Sequence, residues 1–362
     1  MPTADELAPA VAAGIITAEQ AARIAALEVA PATAAPQVAA VDTAASDADE
    51  EIVHFARGFQ DVFLTIGLVL LMVGIGIAGP IAFGTAGGLY AGAVVAFALA
   101  WYFARSRRLV LPSIVLALGF TLFVGVATGV VLGGEGWGNL FPGMQSASSA
   151  PALLGGGLAA VAAAAAFYAI FRLPFALGLV AAALVYVANG GLILALGMAT
   201  FSGVALYVLL AMGLVTFAAA MAFDLSDPRR RTLRSDNAFW LHLVAAPMIV
   251  HSLVALLVEH GRTNFNTNDS LIVIAIVVAL GVVALIIDRR ALLVAGLGYL
   301  GFAIAQLLVA ADVMQSGVLA ATLLFVGAAV VILGAGWRPI RAVLLRLVGE
   351  PLRDRLPPAV RA

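Results

Sequence analysis

The sequence predicts an all-α fold, a polytopic transmembrane helical bundle of about ten spans with a small N-terminal cytoplasmic helical hairpin. Three observations carry that expectation. The chain is 63% hydrophobic and only 11% charged, with mean hydropathy +1.10, whereas a soluble domain holds ~25% charged residues. Beyond residue 60, apolar runs recur at the ~20 residues a helix needs to cross the hydrocarbon core. The 19 basic residues, all arginine, fall mostly in every second gap between those runs.

Composition also excludes several chemistries. The chain has no cysteine, so it has no disulfide framework, thiol nucleophile or thiolate metal site. Without lysine, Schiff-base chemistry and a P-loop are excluded. No cofactor is expected, and no nucleic-acid partner at a net charge of −1. The arginine and alanine richness suggests a bacterial inner-membrane protein. The opening MPTADELAPA lacks the basic and apolar regions of a secretory signal peptide.

Residues 1–29 read as a helical hairpin. Thr3 with Glu6, and Thr17 with Gln20, have capping-box spacing ahead of apolar residues. Gly14 sits between them where a helix stop is expected. Residues 30–50 are rich in Ala, Pro and Thr, end acidic, and read as a flexible linker. The hairpin is either a solvated appendage or a docking element for a protein partner.

Residues 51–337 read as the ten-span bundle, with the lipid bilayer as its surroundings. The spans are Val62–Gly79, Phe83–Ala104, Leu109–Gly133, Ala152–Phe171, Leu173–Leu194, Ala199–Phe223, Ala238–Val258, Ser270–Ile287, Ala291–Ala311 and Val313–Gly336. Only Arg172 and Pro174 separate the fourth from the fifth. The turn at 287–291 is marked by Asp288, Arg289 and Arg290, which hydrocarbon tolerates poorly. Residues 338–362 read as an interfacial helix on the cytoplasmic leaflet, with arginines at 338, 341 and 346 among aliphatics. Pro351, Pro357 and Pro358 break the tail after it.

Arginine placement sets the orientation. With ten spans, every arginine except Arg262 falls on one side, including the 229–234 cluster. Both termini are therefore expected in the cytoplasm. The outer loops are 135–151, 195–198 and 259–269, with tight turns near Pro80 and Asp312. The first holds GGEGWGNLFPGM, which lacks the G-K-[ST] of a phosphate cradle. Its Trp137 and Phe141 suit aromatic anchoring at the interface.

Gly125, Gly129 and Gly133 repeat every fourth residue and predict a flat ridge for close helix packing. Gly88 and Gly92 read the same way. Pro247, inside span seven, crowds the carbonyl of Leu243 and is the candidate hinge or static kink. The polar residues deep in spans are Asn189, His242, His251, Tyr299 and Gln306. Asp61, Asp224, Asp236 and Asp312 fall near span ends. His242 and His251 are nine residues apart, about half a turn out of phase, and face opposite sides of a straight helix. His251 is expected to face the bundle or a polar cavity, with at least one hydrogen bond to a neighbouring helix. No metal site is expected.

The segment LAPAVAAGIITAEQAARIAAL, then a linker, then GFQDVFLTIGLVLLMVGIGI, resembles the bacterial membrane proteins grouped as domain of unknown function 2157. The similarity covers roughly the first 80 residues and implies a short N-terminal hairpin ahead of many spans. It implies no catalytic residues. Function stays open between a carrier for a small, weakly charged or apolar solute and a non-catalytic scaffold whose hairpin binds a partner. An intramembrane enzyme is disfavoured, since no acid, base and nucleophile are seen to converge. Ten spans can divide as inverted five-span halves. The R-R-aliphatic starts at Arg107 and Arg289 instead favour hairpin duplication, because spans three and nine are parallel.

Overall fold

The computed structural model describes residues 59–133, 150–228, 230–258, 266–311 and 315–347, together with parts of 7–21 and Leu356. The linker, Thr3, Glu6, Gly14, Trp137, Phe141, Arg229, His260, Arg262, Asp312 and the three tail prolines lie outside them. The chain divides into two compact units, Met1–Ile52 and Val53–Ala362.

In the first unit the second capping box closes as its spacing predicts. The Thr17 amide donates to Gln20 Oε1 at 2.8 Å, and the Gln20 amide donates to Thr17 Oγ1 at 3.2 Å. Two backbone donors at the helix start are thereby satisfied.

The second unit is an all-α polytopic bundle, with no strand among the described residues. Ten of its described helices are long and apolar enough to cross a membrane. They are α1 (Phe59–Phe83), α2 (Thr85–Ala100), α3 (Val110–Gly133), α4 (Ala150–Phe171), α5 (Pro174–Leu196), α6 (Met198–Ser226), α7 (Leu233–Leu257), α8 (Thr267–Ile287), α9 (Ala291–Ala310) and α10 (Gln315–Leu347). A π-helical turn, Trp101–Ser106, extends α2.

Three boundaries differ from the sequence expectation. Pro80 lies inside α1, and the turn falls at Gly84, whose φ of +72 suits glycine. The connection after α5 is Gly197 alone, again at positive φ. The expected interfacial helix is no separate element, because α10 runs on through Pro339 to Leu347. A 33-residue helix is ~50 Å long, well beyond a ~30 Å core.

The arginine-bearing connections share one end of the bundle. Trp101 at the close of α2 meets Phe171 of α4 edge-on, and Tyr168 of α4 accepts from Asn237 of α7. Arg230 before α7 then reaches Asp288 after α8, and Trp337 of α10 donates to the same Asp288. Each helix pair joined here turns on a non-glycine residue at positive φ: Arg108, Arg172, Arg230 and Asp288.

Lipid tails are as apolar as leucine, so close contact between helices, not transfer from water, holds such a bundle. The interior accordingly runs to small residues. Ala96, Ala117, Ala164, Ala176, Ala220 and Ala246 are fully buried. Gly125 and Gly129 of α3 meet Gly156 of α4: a Cβ on Gly156 would stand 2.7 Å from the Gly125 carbonyl oxygen. Gly133 lies exposed at the end of α3, so the expected three-glycine ridge is built from two, with Gly156 completing it from the partner helix. Gly88 of α2 backs directly onto Gly79 of α1.

The first five helices pack largely with their chain neighbours, while α7 touches α5, α6, α8 and α9. Its most apolar stretch is 56% buried, the largest share among the ten spans, against 0% for α10. The outer helices expose Leu70, Ile81 and Leu324, as a surface solvated by lipid requires.

Candidate functional site

The polar centre of the molecule forms where α6 ends, α7 begins and α8 turns into α9. Asp227, just past α6, shapes the first turn. Its carboxylate accepts from the Thr232 amide at 2.8 Å, the Thr232 hydroxyl at 2.7 Å and the Arg231 amide at 3.3 Å. Burial works against its charge, but these donors and the nearby Arg234 guanidinium outweigh it and hold the carboxyl below its ordinary value of 3.8. Thr232 in turn caps α7.

The second turn is a Schellman stop. Asp288 sits left-handed at φ 59, and the Arg289 amide donates to the Ala284 carbonyl at 2.8 Å. That geometry sends Arg289 inward and leaves Asp288 at the margin. There Asp288 meets Arg230 at 3.3 Å and accepts from the Trp337 indole at 2.7 Å. Arg341 donates to the Leu285 carbonyl at 3.0 Å, which fixes α10 to the same corner.

Arg289 is 1% exposed. Its Nε lies 3.1 Å from both carboxylate oxygens of Asp224, and its Nη2 donates to Asp224 Oδ1 as well. The same Nη2 donates to the Ser235 carbonyl at 3.2 Å and the Ser235 hydroxyl at 3.1 Å. Such two-point arginine–carboxylate pairing is the strong form of the interaction. The other oxygen of Asp224 lies 2.9 Å from His242 Nε2. A carboxylate only accepts, so Nε2 carries the hydrogen. The ring of His242 lies edge-on to Phe217, and its Nδ1 is buried without a partner. Asn237 donates to the Tyr168 hydroxyl at 2.8 Å, while its own Oδ1 is buried without a partner.

The residues expected from the sequence separate into two groups. His242 joins the cluster. His251 does not: it is exposed, which corrects the expectation that it faces the bundle, although its Nδ1 does bond a neighbouring helix at the Tyr299 hydroxyl, 2.7 Å away. The opposite faces predicted for the two histidines explain this, since α7 buries the His242 side. Asn189 and Gln306 are half-buried and make no side-chain hydrogen bond among the described residues. Pro247 is exposed, and α7 continues through it from Leu233 to Leu257.

Asp224, Arg289 and Ser235 escaped the sequence reading because each lies at a span end, where charge is ordinary. No local signal separates Arg289 from its neighbour Arg290, which is exposed and stacks on the Trp337 ring at 5.2 Å.

Ser235 is engaged by Arg289 and not by His242, so Asp224, His242 and Ser235 make no nucleophile–base relay. Among the described residues no His, Cys, Asp and Glu grouping could hold a metal ion. Fold and site together define an integral membrane protein, with ten membrane-length apolar helices among the described residues and a charged cluster buried at one end. No protein-family model matches the chain, and neither does any curated protein sequence.

Proposed function

We propose that the protein is a carrier for a small, weakly charged or apolar solute, and that the Asp224–His242–Arg289 cluster is its latch at the cytoplasmic end. One observation carries this reading: a buried charged pair, with His242 beside it, joins three separate pieces of chain. His242 lies within a span, where an ionisable group is costly to keep and marks a working site by default. Dry apolar packing could hold α6, α7 and α9 together at least as well. An ion pair adds the capacity to part into two solvated charges when the end opens.

A second reading is a scaffold whose N-terminal hairpin docks a protein partner. The closed Thr17–Gln20 capping box, on a unit separate from the bundle, favours it.

The natural absence of cysteine makes a clean test available. Ser252 on α7 is fully buried. In a carrier, Ser252→Cys reacts with a membrane-impermeant maleimide, and Asp224→Asn speeds that reaction while the protein stays folded. Protection of Ser252→Cys from both sides of the membrane in both backgrounds sinks the carrier and leaves the scaffold.

A further inference from the structure

We propose that the ends of α2 and α4 form a binding site for an anionic phospholipid, its phosphate held by arginines and an acyl chain laid along α2. Four arginines lie there: Arg105 in the π-helical turn that extends α2, Arg107 and Arg108 just past it, and Arg172 just past α4. All four are exposed, and none makes an ion pair among the described residues. Elsewhere at this end the arginines are engaged within the fold. Arg289 meets Asp224, Arg230 meets Asp288, and Arg290 stacks on Trp337. The charge at α2 and α4 has no such answer. Glu135 is the only acidic residue between positions 62 and 223, and it falls in the connection from α3 to α4. A guanidinium presents paired N–H donors that match two phosphate oxygens.

The second observation is aromatic. Trp101 and Tyr102 open the π turn and are 50% and 49% exposed. Arg105 lies over the Trp101 ring, 5.1 Å from its centroid. Arg107 donates through Nε and Nη2 to the Tyr102 hydroxyl, at 3.1 and 3.0 Å. The π turn makes that second contact possible. Residues five apart are bonded neighbours in a π-helix but stand about 140° apart on an α-helix, and here the Arg107 amide donates to the Tyr102 carbonyl at 3.1 Å. The Trp101 ring also meets Phe171 at 6.3 Å, and Arg172 follows Phe171 directly, so arginines of both helices border one aromatic seat. Val94, Ala98 and Trp101 continue from Arg105 along one exposed face of α2, at spacings of three and four residues. A soluble anion gains nothing from that apolar stripe, whereas an acyl chain covers it. Tryptophan and tyrosine favour headgroup depth, which places the arginines level with lipid phosphates.

The site stands whether the protein is a carrier or a scaffold, so its failure leaves the Asp224 latch untouched, and the failure of the latch leaves it untouched. The test is native mass spectrometry of the full chain in detergent, titrated with phosphatidylglycerol or with phosphatidylcholine of the same acyl chains. The expected result is tighter binding of phosphatidylglycerol, not displaced by glycerol 3-phosphate. Arg105→Gln and Arg172→Gln should each weaken that binding about fivefold, the contribution of one arginine near anionic lipid. Arg346→Gln, at an exposed arginine near the end of α10, should leave it unchanged. These side chains are exposed, so thermal unfolding without lipid should not shift, and either Arg105→Gln or Arg172→Gln decides if the other fails to fold. Equal binding of the two lipids overturns the proposal, and so does an equal loss in Arg346→Gln, which would show a response to total charge. Displacement by glycerol 3-phosphate overturns it in favour of a soluble anion. Binding that appears only when Asp47, Asp49, Glu50 and Glu51 are replaced by their amides overturns it in favour of the chain's own acidic run.

Discussion

Arg289 and Asp224 are 65 residues apart in sequence and form a two-point ion pair inside the bundle. The pair explains why the α8–α9 turn, short and charged, is held against the end of α6. It also sets the energetics of that end, because neither charge has lipid or water to fall back on.

The first prediction concerns that pair. Asp224→Leu or Arg289→Met alone strands a buried partner, which typically costs ~3–5 kcal/mol. Replacing both at once, Asp224→Leu with Arg289→Met, should recover most of that loss, since an apolar pair of similar volume is often neutral or better. Thermal unfolding of the four proteins in detergent measures the coupling. Additive losses would show that the two side chains do not depend on each other.

Glycine contacts give a paired comparison. A Cβ at Gly190 would lie 2.3 Å from the Leu154 backbone nitrogen, while at Gly74 it meets nothing within 4 Å. Gly190→Ala should lower stability by ~1–3 kcal/mol, the usual cost of overpacking. Gly74→Ala should be neutral or gain up to ~1 kcal/mol from helix propensity. Equal effects in unfolding assays would contradict the close α4–α5 approach.

Asp227 makes the α6–α7 turn acid-sensitive. Its carboxyl titrates lower in the folded protein than its ordinary 3.8. The stability it contributes is therefore complete above that value and is lost as pH falls below it, through the folded-state value. Wild type should lose its advantage over Asp227→Asn as the pH drops through that window. A stability gap between the two that does not change with pH would refute the role given to the charge.

His251 and Tyr299 form a hydrogen bond at an exposed position. His251→Gln keeps a donor and an acceptor, so stability should change by less than ~1 kcal/mol, within the range of one hydrogen bond. Tyr299→Phe should cost the same in wild type and little in His251→Ala. Loss of folding in His251→Gln would mean that the histidine does more than this one bond.

Orientation is a prediction from arginine counting. Reporters fused after Arg108, Ser235 and Arg290 should report cytoplasm, and those at Gln145 and Asn266 the exterior. One reporter on the other side would break the alternation of ten spans.

The sequence by itself determined the helical class, the ten apolar helices and the ends where charge collects. These follow from run length and from the cost of charge in hydrocarbon, and both are local properties of the chain. It also determined that His242 and His251 face opposite ways, because helical phase is arithmetic. Only the tertiary structure decided which face of α7 is inside, since nearly every residue around it is apolar and the pattern has no polar stripe to orient it. It likewise decided that Arg289 turns inward to Asp224 while Arg290 stacks on Trp337, and that Gly156 answers Gly125. Those choices depend on which helices meet, and in a chain where lipid and protein interior are equally apolar, close packing and a few polar contacts select the neighbours.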